Sequence, residues 1–332
     1  MTLIDPEWLA LAEEDPLEPD LEICDPHHHH WDHPDSPYLR QQLADDLRGH
    51  GVRKTVFVEC GSNYRAIGPD ALRPVGETEF VQSIAEQRLD EQDEGGLDAG
   101  IVGHANLLLG DAVAEVLEAH LSASPDRFRG VRHSAAWHES SEIRPSHSEP
   151  PAHMLTLAPF KEGFAHLSRY GLSFDAWLFH TQLDELYDLA REASDTVIVL
   201  NHMGGPLGIG PFAGRRAEVF SDWKRGITRL SECENLVVKL GGLQMAISGF
   251  DWHKQDRPPS SVELQAALEP YYLHCIEEFG VDRCMFESNF PVDKVSCSYT
   301  VLWNFFKRMT GGSSESERRA LFSGTAERIY RI

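Results

Sequence analysis

The sequence predicts an α/β fold, a single (β/α)8 TIM barrel with long loops. Eight short runs rich in Val, Ile, Leu and Phe recur along the 332 residues, and amphipathic stretches of helical period alternate with them. A third observation works by exclusion. The first run leads into "CDPHHHHWD", where a doubly wound nucleotide-binding sheet would place a glycine-rich phosphate loop.

In chain order the strand-like runs are "LEICD" from Leu21, "VRKTVFVE" from Val52, "AGIVGHANL" from Ala99 and "RGVRHSAA" from Arg129. They continue with "LSFDAWLFH" from Leu172, "TVIVLNH" from Thr196, "NLVVKLGG" from Asn235 and "RCMFESNF" from Arg283. Between them, "ETEFVQSIAEQRLDEQ" sets Phe80, Val81, Ile84, Ala85 and Leu89 on one helical face and acids and glutamines on the other. Similar helices fit "DAVAEVLEAHL", "QLDELYDLAREA", "RAEVFSDWKRGITRL", "VELQAALEPYYLHCIEEFG" and "SYTVLWNFFKRM". Residues 1–20 read as an N-terminal extension and residues 21–332 as the barrel.

Two insertions follow strand ends, "GSNYRAIGPDALRPVGET" after the second and "WHESSEIRPSHSEPPAHMLTLAP" after the fourth. Active sites of barrels lie on the face formed by the C-terminal strand ends, so both are candidate lids or substrate loops. The first carries Tyr64 and Arg65.

With 53 acidic and 30 basic residues the chain has a formal charge of -23, which repels nucleic acid and anionic membrane and favours a small-molecule partner. Its six cysteines are scattered, without a C-x-x-C pair, and read as reduced thiols of a cytoplasmic protein. The opening residues are acidic where a signal peptide would be basic, and no apolar run reaches the length of a membrane span. Self-association into a homo-oligomer is left open.

Residues that can carry chemistry cluster at the strand ends. Alternation along a strand sends His27 and His29 to one side and His28 and His30 to the other. If Asp25 and the residues two apart from it face the interior, His27 and His29 enter the mouth together and can share one divalent ion. His28 and His30 then pack behind the strand. His180 ends the fifth run, and His202 ends the sixth before Gly204 and Gly205. Glu287 and Asn289 share a face at the end of the eighth; Glu287 can act as a base, whereas the carboxamide of Asn289 cannot. Glu59, Arg132, His133, Asp175 and Lys239 stand on the same rim, with Trp177 a further substrate contact. The cations there can neutralise a bound carboxylate.

Taken together, "CDPHHHHWD", "RFRGVRH", "LSFDAWLFH", "VIVLNHMGGP", "NLVVKLGGL" and "RCMFESNFPVD" resemble successive strand ends of the amidohydrolase superfamily. The likeness is to the amidohydrolase-related branch that includes pyrone-dicarboxylate lactonases, and it covers nearly the whole chain. It implies that His27 and His29 are the first-strand metal ligands, His180 the fifth-strand ligand and His202 the sixth-strand histidine. It also implies that Asn289 stands where the family has an aspartate that activates water. That departure leaves three outcomes. A divalent metal such as zinc or manganese is held by His27, His29 and His180 or His202, with Glu59 or Glu287 activating water; or a metal-independent site polarises the carbonyl with imidazole and arginine donors; or hydrolysis is lost. The leading expectation is a hydrolase opening a lactone or cyclic ester of a small organic acid, with Arg132 and Arg65 holding its carboxylate or carbonyl groups. A decarboxylase of the same superfamily and a silent ligand-binding barrel are the alternatives.

Overall fold

Each of the eight apolar runs forms one strand, and each strand pairs in parallel with the next. The computed structural model describes residues 4–34, 36–87, 96–144 and 148–332. The strands are β1 (Ile23–His28), β2 (Val52–Val58), β3 (Gly100–Gly103), β4 (Phe128–Arg132), β5 (Ser173–Ala176), β6 (Ile198–Leu200), β7 (Leu236–Leu240) and β8 (Cys284–Phe286), in sheet order β1 to β8. The seam between β8 and β1 is closed by the histidine run itself. The Asn289 N–H donates to the His27 carbonyl at 2.9 Å, and the His29 N–H donates to the Phe290 carbonyl at 2.8 Å.

Helices follow the strands in turn: Arg40–Leu47, Val75–Ala85, Val113–Ala123, Ala158–Arg169, Leu183–Glu192, Arg216–Leu230, Ser261–Phe279 and Tyr299–Met309. Six of these coincide with expected helices, although the end of the first expected one falls in 88–95, outside the described residues. Two were not expected. "RQQLADDL" buries only Arg40, Leu43 and Leu47, too little apolar surface to declare a face. Ala158–Arg169 does carry a stripe of Phe160, Phe164 and Leu167, but the Ser- and Pro-rich insertion runs straight into it. The described part of that insertion is anchored, with Ile143, Met154 and Leu155 buried.

Strand alternation divides the core in two. Residues such as Phe57, Ile101, Val131, Phe174, Ile198, Val238 and Phe286 join the large cluster shared with the helices. Cys24, Val56, Val102, Val199, Val237 and Met285 fill the barrel interior, where Ala326, Ile329 and Tyr330 of the C-terminal helix Thr325–Tyr330 close its floor. Above that apolar layer the interior turns polar, and the site begins.

The β1 alternation holds for His27 and His29 for a different reason than expected. Asp25 faces the helices, accepting from Ser288 N at 2.9 Å and the Tyr299 hydroxyl at 3.1 Å, while Cys24 faces inward. The β1–β2 register shifts between Asp25 and His28, around Pro26, which has no N–H to give to the ladder. The shift resets the phase, so the two histidines still face inward.

The segment read as an N-terminal extension lies along the barrel helices. Trp8 Nε1 donates to the Gln255 carbonyl at 2.9 Å, and Glu14 accepts from Ser261 N at 2.7 Å and from Asn304 Nδ2 at 2.9 Å. No helix among the described residues is long and apolar enough to cross a membrane.

At the floor, the Tyr330 hydroxyl lies 3.0 Å from both oxygens of Asp175, which is buried and also paired with Lys239 at 2.7 Å. Tyr330→Phe removes one donor from a buried carboxylate, and stability is expected to fall by about 1–3 kcal/mol. Denaturant unfolding measures this, and an unchanged midpoint would show that the floor contact contributes nothing.

Candidate active site

At the mouth of the barrel a single carboxylate stands between two imidazoles. Glu287 Oε1 is 2.6 Å from His202 Nδ1 and also accepts the His202 backbone N–H at 3.2 Å, while Oε2 is 2.8 Å from His27 Nδ1. All three side chains are buried. The approach depends on Gly241 and Gly242, just past β7. A Cβ on Gly241 would lie 2.4 Å from Glu287 Cγ, and one on Gly242, whose φ is +76°, would lie 2.6 Å from the His202 ring. His202 itself has a φ of 53° and Asn289 one of 55°, left-handed conformations that His and Asn adopt more readily than most residues.

His27 is flanked by cations. Lys239 Nζ is 3.4 Å from its Nδ1, and Arg132 Nη1 is 3.3 Å from its Nε2. Burial, then Lys239, hold its pKa well below the ordinary imidazole value, so it is neutral at working pH. Each cation has its own carboxylate. Lys239 pairs with Asp175 at 2.7 Å, and Arg132 gives Nε to Glu59 Oε1 at 2.6 Å and a second N–H to the Glu59 carbonyl.

The other residues singled out by the sequence fall into two groups. His29 joins the site: its ring is edge-on to His27 with centroids 5.0 Å apart, and its Nδ1 lies 2.7 Å from the Val58 carbonyl. Burial and the nearby Arg132 lower its pKa well below the usual value. Trp177 also joins, its ring 4.8 Å from that of His202. Asn289 sits on the closing seam with Nδ2 donating to Asp293 Oδ1 at 3.0 Å. His180 points elsewhere: its Nδ1 accepts from Leu207 N at 3.3 Å, its ring meets Phe212 at 5.0 Å, and burial lowers its pKa to about 4. His133 turns to the helix side, accepting from Leu107 N at 3.2 Å beside His104, and burial takes it to about 3. Arg65 is tied to Glu79 through Nε at 3.2 Å and through Nη2. Tyr64 is half-buried near Glu59 and Glu77, and burial, then these acids, raise its pKa.

A family model described as "Amidohydrolase" matches residues 24–332. The chain belongs to the amidohydrolase family. The uncharacterized protein y4mH of Sinorhizobium fredii is 33% identical over 328 residues, covering 94% of this chain and 99% of its own. L-fucono-1,5-lactonase of Burkholderia multivorans is 25% identical over 276 residues, covering 80% of this chain and 86% of its own. A crystal structure of an amidohydrolase from Burkholderia multivorans with zinc bound shares the fold, with a TM-score of 0.71 at 23% identity over 93% of this chain and 99% of that one. This amidohydrolase is a hydrolase.

Sequence reasoning missed two carboxyls of this amidohydrolase. Asp293, four residues beyond Asn289, is buried, and burial together with Glu287 pushes its pKa well above the usual range. Glu77 is buried at the start of the helix Val75–Ala85, accepting from Cys60 N at 3.0 Å and Ser62 N at 2.8 Å. Both sit inside quoted segments, but neither occupies a strand end, the signal used to choose candidates.

The residues present fit a divalent cation. His27, His202 and Glu287 bring one ligand atom each to within 4.8 Å of one another. Glu287 Oε2 lies 2.8 Å from His27 Nδ1 yet makes no aligned hydrogen bond, as expected of atoms converging on a third point. A second such group, His28, His30 and Asp98, lies behind β1.

Glu77 titrates with a measurable consequence. Burial, then the charge of Glu59, push its pKa from 4.5 up to about 8. A raised folded pKa means that the folded state holds the proton more tightly, so this contribution to stability is present at acid pH and lost as pH rises from about 4.5 to about 8. Glu77→Gln cannot ionise and is expected to flatten that part of the melting-temperature profile. Parallel profiles for the two proteins would refute the assignment.

Proposed function

We propose that this chain is a lactonase: it opens the ring of a small lactone by adding water to the carbonyl. The observation that carries the reading is the Glu287 carboxylate between His27 and His202 at the barrel mouth, with cationic neighbours on His27. It is supported by the curated lactonase relatives, among them L-fucono-1,5-lactonase and the L-rhamnono-gamma-lactonase of Scheffersomyces stipitis. The six free cysteines support a cytoplasmic location.

His27, His202 and Glu287 would hold the divalent cation, zinc or manganese. Bound there, it would polarise a carbonyl and lower the pKa of a water molecule. The chain's own residues supply the rest. Lys239 and Arg132 keep two positive charges beside His27, where they favour negative charge developing on the lactone oxygen. His29 gives its Nδ1–H to the Val58 carbonyl at 2.7 Å, which leaves the lone pair on Nε2. Nε2 is therefore the free acceptor that takes the proton of the attacking water, and because the depressed pKa makes the imidazolium a strong acid, it returns that proton at once to the ring oxygen as the C–O bond breaks. Trp177 and the apolar loops around it exclude bulk water from the His202 side.

Protein purified without chelator is expected to carry about one equivalent of metal and to release acid from a lactone panel in a pH-stat. His27→Ala should lose both metal and activity. His29→Gln should keep the metal and lose about 100-fold or more in kcat, the usual scale for removing a proton-transfer group. Metal lost with His29→Gln would make His29 a ligand instead. Carbon dioxide release from carboxylic acids, with no lactone opened, would replace this reading with a decarboxylase.

A further inference from the structure

The rim around the site is divided by polarity, and the division bears on what can enter. On one side, the loops after β4, β5, β6 and β7 contribute Ile143, Trp177, Phe179, Leu207, Phe212 and Met245 to one apolar cluster, separate from the main core. Trp177 links that cluster to the chemistry: its ring stands edge-on to His202, with centroids 4.8 Å apart and planes at 77°. Gly205, with a φ of 47°, lets the β6 loop close on the Trp177 ring, because a Cβ there would lie 2.9 Å from it. On the other side, the loop and helix after β2 contribute Glu59 and Glu77, both buried.

The cations of the rim are already engaged. Arg132 is bound to Glu59 through its side-chain carboxylate and its carbonyl. Arg65 is bound to Glu79 by two of its nitrogens, and Lys239 to Asp175. A substrate carboxylate would have to break one of these pairs in a chain whose formal charge is -23. Arg132 and Arg65, the residues expected to hold a substrate carboxylate, are thus each already held by a carboxylate of the chain. A polyhydroxylated ring meets a different obstacle, since several hydroxyls turned to the Trp177 side would lose water and find only the indole N–H of Trp177 as a polar partner among those side chains.

We infer that the substrate is an uncharged lactone that presents an apolar face, aliphatic or aromatic, to Trp177. The inference rests on the lactonase reading and deepens it. Trp177 is the residue that sets the specificity: its flat ring covers an apolar substrate face while the lactone carbonyl is directed to the His27, His202 and Glu287 side.

The test compares three kinds of probe on the full-length metal-loaded protein. Dihydrocoumarin and δ-decalactone are uncharged and apolar, L-fucono-1,5-lactone is uncharged and hydroxylated, and 2-pyrone-4,6-dicarboxylate is a dianion. The apolar probes are expected to exceed the hydroxylated one in kcat/KM by about tenfold and the dianion by about 100-fold or more. Trp177→Ala should raise KM for the apolar probes about tenfold with less effect on kcat, and should raise it less for the hydroxylated probe. Trp177→Phe should restore most of the loss. A dianion or a hydroxylated lactone turned over best, or a Trp177→Ala variant with unchanged KM for the apolar probes, overturns the proposal. Should no probe be hydrolysed, the lactonase reading fails, and thermal stabilisation by the same probes decides the substrate class alone. Stabilisation by the apolar lactones but not by the dianion upholds it, while stabilisation by the dianion, or by none, overturns it.

Discussion

The buried Glu287 carboxylate is the constraint around which the mouth of this barrel is built. An ionised carboxylate removed from water costs several kcal/mol unless partners compensate it. The partners here are two imidazole nitrogens and one backbone N–H, drawn from β1 and the turn after β6. Bringing them together requires the β7 backbone to pass against both Glu287 and His202, and only Gly241 and Gly242 leave the room. It also requires left-handed backbone at His202 and Asn289. Such conformations persist where the surroundings over-determine them, and they cluster at functional sites. Three of the nine left-handed non-glycine positions among the described residues, His202, Met203 and Asn289, thus lie on the elements that hold this carboxylate.

The same constraint explains how the barrel closes. Outward of Glu287, β8 ends, and pairing to β1 continues only through Asn289 and Phe290 with His27 and His29. The residues that bear the imidazoles are also the last rungs of the sheet. Their orientation is fixed by a ladder rather than by a loop, which keeps ligand and proton-transfer atoms within the tolerance that catalysis needs.

The fold was legible because its signal is periodic. Eight apolar runs gave eight strands, and six helices with an apolar face were found; "RQQLADDL" was not, since it lacks a stripe, nor was Ala158–Arg169, whose stripe is hidden by the Ser- and Pro-rich insertion that runs into it. The site was partly legible. His27, His29, His202, Glu287 and Trp177 come together, all from strand ends. His180 and His133 end strands too, but their side chains leave the mouth, and strand-end position alone carries no sign of that direction. Asp293 and Glu77 were invisible because their approach depends on loops whose path no short-range pattern dictates. The β1 phase shows a subtler limit. Simple alternation from Asp25 led to the correct pair of histidines only because a bulge at Pro26 offset an Asp25 that faces the other way.

Two histidine–carboxylate groups stand back to back on β1, and charge balance distinguishes them. Behind the strand, Asp98 Oδ1 lies 2.9 Å from His30 Nε2 and 3.2 Å from His28 Nε2, and its other oxygen is 3.6 Å from Arg40. Burial alone would raise the Asp98 pKa, yet His30 and the hydrogen bonds from His28 and His30 hold it far below the usual range. Asp98 is therefore ionised and already matched by a guanidinium. A divalent ion added there would compete with the guanidinium already 3.6 Å from the second oxygen of Asp98. In front of the strand, Lys239 and Arg132 are matched by Asp175 and Glu59, which leaves Glu287 as the carboxylate in excess. The front group gains from a cation, and the back group already has one. Of the four consecutive histidines, His27 thus lies where a metal is favoured, and His28 and His30 lie where a protein cation has taken its place.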